Sequence, residues 1–359
     1  MTERPGNGPL AVPVAATPVG AAPVTQSVTE PISTDARVET IPGTSRLKGV
    51  ALHIVGRLGA GILVLFGAVT VSFLLVHATG NPATVLAGGS LPAAQVQALS
   101  KQLGYNRPLL SQYVSYIAGV LHGQFGVSFR YDTPAINSVI TALPNTLLLI
   151  GVSLSAALIF SIAIATSSVL SRNGWADRFW RPVVLVLQGI PDFWIALLLV
   201  LLLAVHWHLL PSLGFNGPKT LIMPCIALTV PMLASFTRLL RANLLDFTDS
   251  DVAFALRARG LTRREIVLGH SFRNAMATFV SFVALQAGWL IGGTVIVETI
   301  FAWPGIGTLL ISAVQARDLT VVQAIVVVIA VTFTVLNLLA DLVVVWLDPR
   351  IGRPAAGAG

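Results

Sequence analysis

Apolar residues along this chain fall into six long blocks. They run from Leu58 to about Ala78, Pro144 to Leu170, Pro182 to Val205, Thr220 to Thr237, Arg273 to Glu298 and Leu319 to Trp346. A helix needs about 20 predominantly apolar residues to cross a bilayer core. The pattern therefore predicts an all-α, polytopic membrane protein with six transmembrane helices. The polar positions divide the rest of the chain. Residues 1–45 are rich in Pro, Ala, Val and Thr without periodicity, which predicts a disordered tail. Residues 46–352 form the membrane domain, and 353–359 a short second tail.

Two connections are long. In the stretch 79–143, Pro92 and Pro108 each suit the first turn of a helix. Leu109, Leu110, Tyr113, Ile117, Val120 and Leu121 then recur at helical spacing. The prediction is a cap of amphipathic helices on the outer membrane face, with residues 123–129 turning the chain back. The stretch 238–275 holds seven arginines and carries helix-end signals. Thr248, Asp249 and Ser250 offer N-cap side chains. Gly260 sits where a left-handed C-terminal turn is expected. Thr262 to Glu265 has the capping-box form. This reads as helix, glycine turn, helix, with Val252, Ala255, Leu256 and Arg259 on one face of the first helix.

Composition agrees with a membrane chain. Hydrophobic residues make up 55% of the 359, and only 10% are charged, against about 25% in ordinary soluble domains. A net charge of +7 would suit nucleic-acid binding, but the basic residues flank apolar blocks and form no stripe with exposed aromatics. With the N-terminus placed in the cytoplasm, 17 of the 22 Lys and Arg residues lie inside and 5 outside. The positive-inside bias thus puts both termini in the cytoplasm. Cys225 stands alone in an apolar block, so an intrachain disulfide is excluded. His206 and His208 point apart at i, i+2 and lack a carboxylate beside them, so no metal site is assigned.

At the Arg-rich loop the sequence resembles the membrane permease subunits of bacterial ABC importers in the dipeptide, oligopeptide and nickel family. Asp251, Arg257, Ala258, Arg259, Gly260, Leu261, His270, Arg273 and Asn274 match that branch's loop, with Leu256 where a small Ala is usual. Gly80-Asn81-Pro82, the run Glu298, Phe301, Pro304, Gly305, Gly307, and Asp348-Pro349-Arg350 match elsewhere, over about residues 50–352. The resemblance implies the type I importer permease fold in the bacterial cytoplasmic (inner) membrane. It implies that Asp251, Ala255, Leu256, Arg257, Arg259, Gly260, Leu261, His270 and Arg273 form an ATPase-coupling loop. It also implies a second permease subunit, one or two ABC ATPase subunits and an extracytoplasmic binding protein as partners. The Walker pattern GxxxxGK[ST] is absent here. The chain is accordingly expected to bind no cofactor and to be no enzyme, with ATP and Mg on the partner ATPases and peptide as the default solute.

The path is less legible. Asp192 follows Gly189-Ile190-Pro191, which reads as a helix irregularity, and is either a polar gate position or an acid near the interface that reaches water or nearby arginines. Gln286 and Trp289 either line the path or pack helices. Glu298, Trp303, Pro304 and Gly305 either shape an external gate or cap a re-entrant turn. An ion-coupled transporter would show internal repeats, and an intramembrane hydrolase a paired catalytic set at depth. Both readings leave the capped loop without a role.

Overall fold

A computed structural model describes residues 44–78, 92–102 and 104–347. The expected tails and the Gly80-Asn81-Pro82 and Asp348-Pro349-Arg350 motifs lie outside these residues, save that Thr44 and Ser45 already belong to the first helix. The helices in chain order are α1 (Thr44–Ala78), α2 (Ala93–Gln102), α3 (Leu109–Leu121), α4 (Ala135–Leu170), α5 (Trp175–Gln188) and α6 (Asp192–His206). They continue with α7 (Pro218–Thr248), α8 (Asp251–Ala258), α9 (Arg263–Ile300), α10 (Ile306–Gln315) and α11 (Leu319–Leu347). Among the described residues the only extended pairing is an isolated bridge, Val127 with Pro134. Helices dominate because a bilayer offers no water to backbone N–H and C=O groups, and a helix pairs them within itself.

Among the described residues five helices are long and apolar enough to cross a membrane. The sixth crossing, expected over 182–205, breaks at the irregularity that Gly189-Ile190-Pro191 marks in the sequence. α5 and α6 meet at a 100° bend across residues 189–191. Pro191 cannot donate a backbone hydrogen bond and disfavours helix at the residue before it, so the chain breaks there. α5 is amphipathic and exposes Trp175, Phe179, Leu185 and Val186. The last part of α6, Val200–His206, has π-helical hydrogen bonding. Other boundaries also move. α4 starts nine residues before Pro144 and carries that proline inside it, and α7 runs on to Thr248, well into the predicted loop.

Packing rests on small residues. Ser153, Ala157, Ser161 and Ala165 form a buried stripe at four-residue spacing on α4, and α4 makes its most extensive contact with α7. Without a hydrophobic drive between helices in lipid, close backbone approach is what holds such pairs. α11 lies between α1 and α9. A Cβ on Gly61 of α1 would stand 2.6 Å from Thr334, and one on Gly288 of α9 2.6 Å from Phe333. α3 packs through Tyr113, Tyr116, Ile117 and Val120, with its tyrosine hydroxyls bonded to Thr70 (2.6 Å) and Ser72 (2.8 Å) of α1. Leu109, Leu110 and Leu121 face outward. The predicted cap helix therefore leans on the side of α1, its tyrosines being the residues that can satisfy hydroxyls there.

Three ion pairs brace the end that carries α8. Arg57 of α1 meets Asp341 of α11 at 2.9 Å, and Arg172 pairs with Asp249. Arg241 of α7 meets the buried Asp177 of α5 at 2.8 Å, and Asp177 also accepts from Ser168 (2.6 Å) and from the Asn173 amide (3.2 Å). Removing one partner of a buried pair strands the other charge and costs about 3–5 kcal/mol. Asp177→Ala is accordingly expected to lower stability by roughly 3 kcal/mol, read as a lower melting temperature in detergent. The double variant Asp177→Ala, Arg241→Met is expected to recover most of that loss. Equal melting of the single variant and wild type would refute the assignment.

Candidate coupling loop and re-entrant turn

The Arg-rich loop folds around two caps and one left-handed turn. Ser250, not Thr248 or Asp249, is the N-cap of α8 and accepts from the Ala253 amide at 3.4 Å. Thr248 bonds back to the Leu245 carbonyl and Asp249 pairs with Arg172. At the other end Gly260 has φ +91°. Its N–H donates to the Arg257 carbonyl (2.9 Å), and the Leu261 N–H to the Leu256 carbonyl (3.2 Å). That bond pair is the Schellman turn, and its left-handed residue strongly favours glycine. Thr262 and Glu265 then close the capping box. The Thr262 amide donates to Glu265 Oε2 at 2.8 Å and the Glu265 amide to Thr262 Oγ1 at 3.3 Å.

The second helix continues into α9 through a π-turn over Ile266–Ser271. Ile266, Val267 and Ser271 are buried, and the Ser271 hydroxyl donates to the Leu244 carbonyl of α7 at 2.9 Å. Arg263 donates to the Val169 carbonyl of α4 at 2.7 Å. The pair is thereby fastened to α4, α7 and α9. On α8 the buried residue is Ala253. Val252 and Phe254 project outward, Phe254 being 69% exposed. Asp251, Ala255, Arg257, Arg259, Gly260, His270 and Arg273 are also exposed, and Leu256 and Leu261 half-buried. Phe254 received no role from the sequence, although an aromatic between Ala253 and Ala255 in a polar loop is a visible signal.

At the opposite end the chain reverses between α9 and α10. Glu298 is fully buried, and its Oε1 accepts from the Thr146 hydroxyl of α4 at 2.7 Å. Its Oε2 accepts from the Gly307 amide (2.7 Å) and the Thr308 amide (3.3 Å), the free donors at the start of α10. A carboxyl group suits a helix N-terminus, where unpaired N–H groups gather. Thr146 in turn accepts from the Ile306 amide at 2.8 Å. Trp303 is fully buried and donates its indole N–H to the Asn145 carbonyl (3.0 Å), while the Asn145 side chain donates to the Pro304 carbonyl (2.8 Å). Gly305 is required by contact: a Cβ there would lie 2.5 Å from the Glu298 carboxyl. Of the two sequence readings for these residues, the geometry is that of a capped re-entrant turn.

The remaining candidates are dispersed. Asp192 opens α6 after the bend and accepts from the Phe193 amide at 2.7 Å. Gln286 is half-buried on α9, and Trp289 is 77% exposed. Beside the re-entrant turn lies a groove of about 640 Å³ that includes Asn137, Ser138, Thr141, Asn145, Pro304 and Ser312. Its lining is uncharged and rich in hydroxyl and amide groups.

Crossing helices joined by buried hydrogen bonds, with a stiff capped appendage at one end, make a multi-pass helical membrane protein. Residues 157–353 match the family described as binding-protein-dependent transport system inner membrane component, and residues 51–150 match its N-terminal membrane component. The chain belongs to that family and is a permease subunit of an ABC importer, a multi-pass inner membrane protein; ATP hydrolysis falls to separate subunits. The glutathione transport system permease protein GsiC of Escherichia coli strain K12 is 32% identical over 300 residues, covering 83% of this chain and 98% of that one. GsiC of Shigella dysenteriae serotype 1 matches to the same extent. An inward-facing structure of the MetNI methionine ABC transporter superposes with a TM-score of 0.50 at 18% identity, over 58% of this chain and 95% of that one. That likeness concerns the type I permease fold alone.

Glu298→Ala leaves the Thr146 hydroxyl without its acceptor and the Gly307 and Thr308 amides unpaired. It is expected to cost roughly 3 kcal/mol, seen as reduced thermal stability of the purified subunit. Thr146→Val is expected to cost less, about 1 kcal/mol. A Glu298→Ala protein as stable as wild type would exclude the capping role.

Proposed function

We propose that this chain is one of two permease subunits in a peptide importer, with glutathione-sized and oligopeptide solutes as the substrate class. The 32% identity to glutathione permeases over nearly their whole length supports that class. The uncharged amide- and hydroxyl-lined groove beside Pro304 fits a solute presenting peptide groups, and we place the external mouth of the path there. In this reading both termini and the Arg-rich loop are cytoplasmic. A binding protein docks at the far end, over the chain between α1 and α4.

α8 is the lever that receives motion from the ATPase. The carrying observation is its construction: a short helix capped at Ser250, turned by Gly260, re-capped by Thr262 with Glu265, and presenting Phe254 and Val252 outward. A helix fixed at both ends transmits displacement, whereas one that merely lay on lipid would need no such turn. Asp251, Arg257 and Arg259 ring the apolar tip and offer polar contacts to a groove on the partner. ATP closure of the two ATPases moves the lever, and through Arg263 and Ser271 the motion reaches α4 and α7. His270 and Arg273 stand on the link between lever and span. Glu298, Trp303 and Gly305 position the gate region, Pro304 borders its mouth, and Gln286, Trp289 and Asp192 are assigned to the path side of their helices.

Two experiments check this. Gly260→Pro fixes φ near −65° in place of +91° and removes the N–H bonded to Arg257. The variant is expected to insert normally, lose uptake at least tenfold, and leave ATP hydrolysis no longer stimulated by loaded binding protein; normal uptake would sink the lever assignment. Mild-detergent purification of the chain from its native host is expected to recover a second six-span subunit and a Walker-motif ATPase. Repeated isolation of the chain alone would instead favour an ion-coupled carrier.

A further inference from the structure

Between α5 and α7, at the end that carries α8, lies a recess of about 400 Å³. Trp180, Arg181, Thr237, Arg238, Arg241 and Ser168 line it. Three arginines converge there, and Asp177 offsets only one. The contacts of Arg241 with Asp177 use Nε and Nη2. Arg181 and Arg238 form no ion pair among the described residues. Thr237 also lines the recess. Thr237 is 2% exposed, and its Oγ1 has no hydrogen-bond partner. A buried hydroxyl without a partner costs free energy unless something binds it.

The rim is apolar. Leu185 lines the recess and is 67% exposed, with Val186 beside it and Trp175 and Phe179 exposed farther along α5. This couples two requirements in one place: cationic and hydroxyl donors for an anionic oxygen cluster, and a sheet of apolar surface leading away from it. A soluble anion needs only the first. The recess lies within about the last three turns of α7, on the side of the α8 loop, and Trp180 lines it; tryptophan concentrates at membrane interfaces. Basic pockets between spans at the cytoplasmic surface suit acidic lipid headgroups.

We propose that this recess is a binding site for one anionic phospholipid, its phosphate held by Arg181, Arg238 and Thr237 and its acyl chains laid along Leu185 and Val186. The buried pair of Asp177 and Arg241 sets the floor, holding the Arg241 guanidinium in place beneath the phosphate. The lipid thereby bridges α5 to α7, on the α5 side of the 100° bend that parts α5 from α6.

The test uses the intact importer complex purified in mild detergent. It is incubated with vesicles of phosphatidylcholine alone or mixed with phosphatidylglycerol, repurified, and its retained lipid counted by mass spectrometry. Phosphatidylglycerol is expected to be retained over phosphatidylcholine, and the Arg181→Gln, Arg238→Gln variant to bind it roughly thirtyfold less tightly. Thr237→Val keeps every charge and is expected to weaken retention severalfold. A photoreactive phosphatidylglycerol, which needs no variant, is expected to label peptides within 175–188 and 237–242. Equal retention of the two lipids, labelling confined to other helices, or displacement by millimolar inorganic phosphate would each overturn the proposal, the last by making the recess a soluble-anion site. Loss of the second permease from the double variant, with wild-type labelling elsewhere, would make it a subunit interface instead.

Discussion

A backbone inside a bilayer has no water to turn to, and each place where a helix stops leaves up to four N–H or C=O groups to be paired by something else. This chain stops or bends its helices repeatedly, and the side chains that answer those breaks account for much of its buried polar chemistry. Glu298 and Thr146 serve the open amides of α10. Asp318, 2% exposed, serves the start of α11 through the Val321 amide and gathers the hydroxyls of Ser128 and Thr320. Asp192 answers the Phe193 amide after the bend. The acids inside or beside the spans thus read first as terminators of helices, and any part they play in transport is built on that duty.

The same constraint explains how the α8 loop can be short and still stiff. α8 has eight residues, too few to be stable alone. Its order comes from Ser250, the Gly260 turn and the capping box, plus Ala253 buried against the bundle. Each cap contributes about 1 kcal/mol. Continuity with α9 then carries the loop into a crossing helix, and the Arg263 and Ser271 hydrogen bonds carry it into α4 and α7. A displacement of Phe254 cannot be absorbed locally without breaking one of these.

Block length and charge made the crossings and the loop readable in the sequence, because both follow from the bilayer itself. The turns were readable only where a residue type betrays them. Gly260 and the turn at Ala302 show this well. Both place a left-handed residue after a helix and make the same pair of bonds, the second through the Ala302 amide to Thr299 and the Trp303 amide to Glu298. Glycine announces the first. Alanine conceals the second, since its left-handed conformation, at a cost of about 1–2 kcal/mol, is held by the burial of Trp303 and the Glu298 anchor. Asp177 was illegible for a related reason. Its partner Arg241 lies 64 positions away, and nothing local links an acid in an amphipathic helix to an arginine two helices later. The bend at residues 189–191 was legible as an irregularity, but its size depends on α5 turning an exposed aromatic face outward.

The ion pairs found among the described residues gather at one end of the molecule, and two buried acids at the other end rely on amides and hydroxyls. Arg57 with Asp341, Arg172 with Asp249 and Arg241 with Asp177 all stand at the α8 end, where the arginines concentrate. At the far end, basic residues are few. Glu298 and Asp318 there take their partners from backbone amides and from Thr146, Ser128 and Thr320. At the α8 end the buried Asp177 adds a guanidinium partner to its Ser168 and Asn173 donors. Guanidinium partners reach across several ångströms on flexible stems and join separate helices, so the α8 end is tied helix to helix. Amide and hydroxyl partners act at short range and only in fixed directions, so the far end is tied turn to turn, and its re-entrant hairpin keeps one shape.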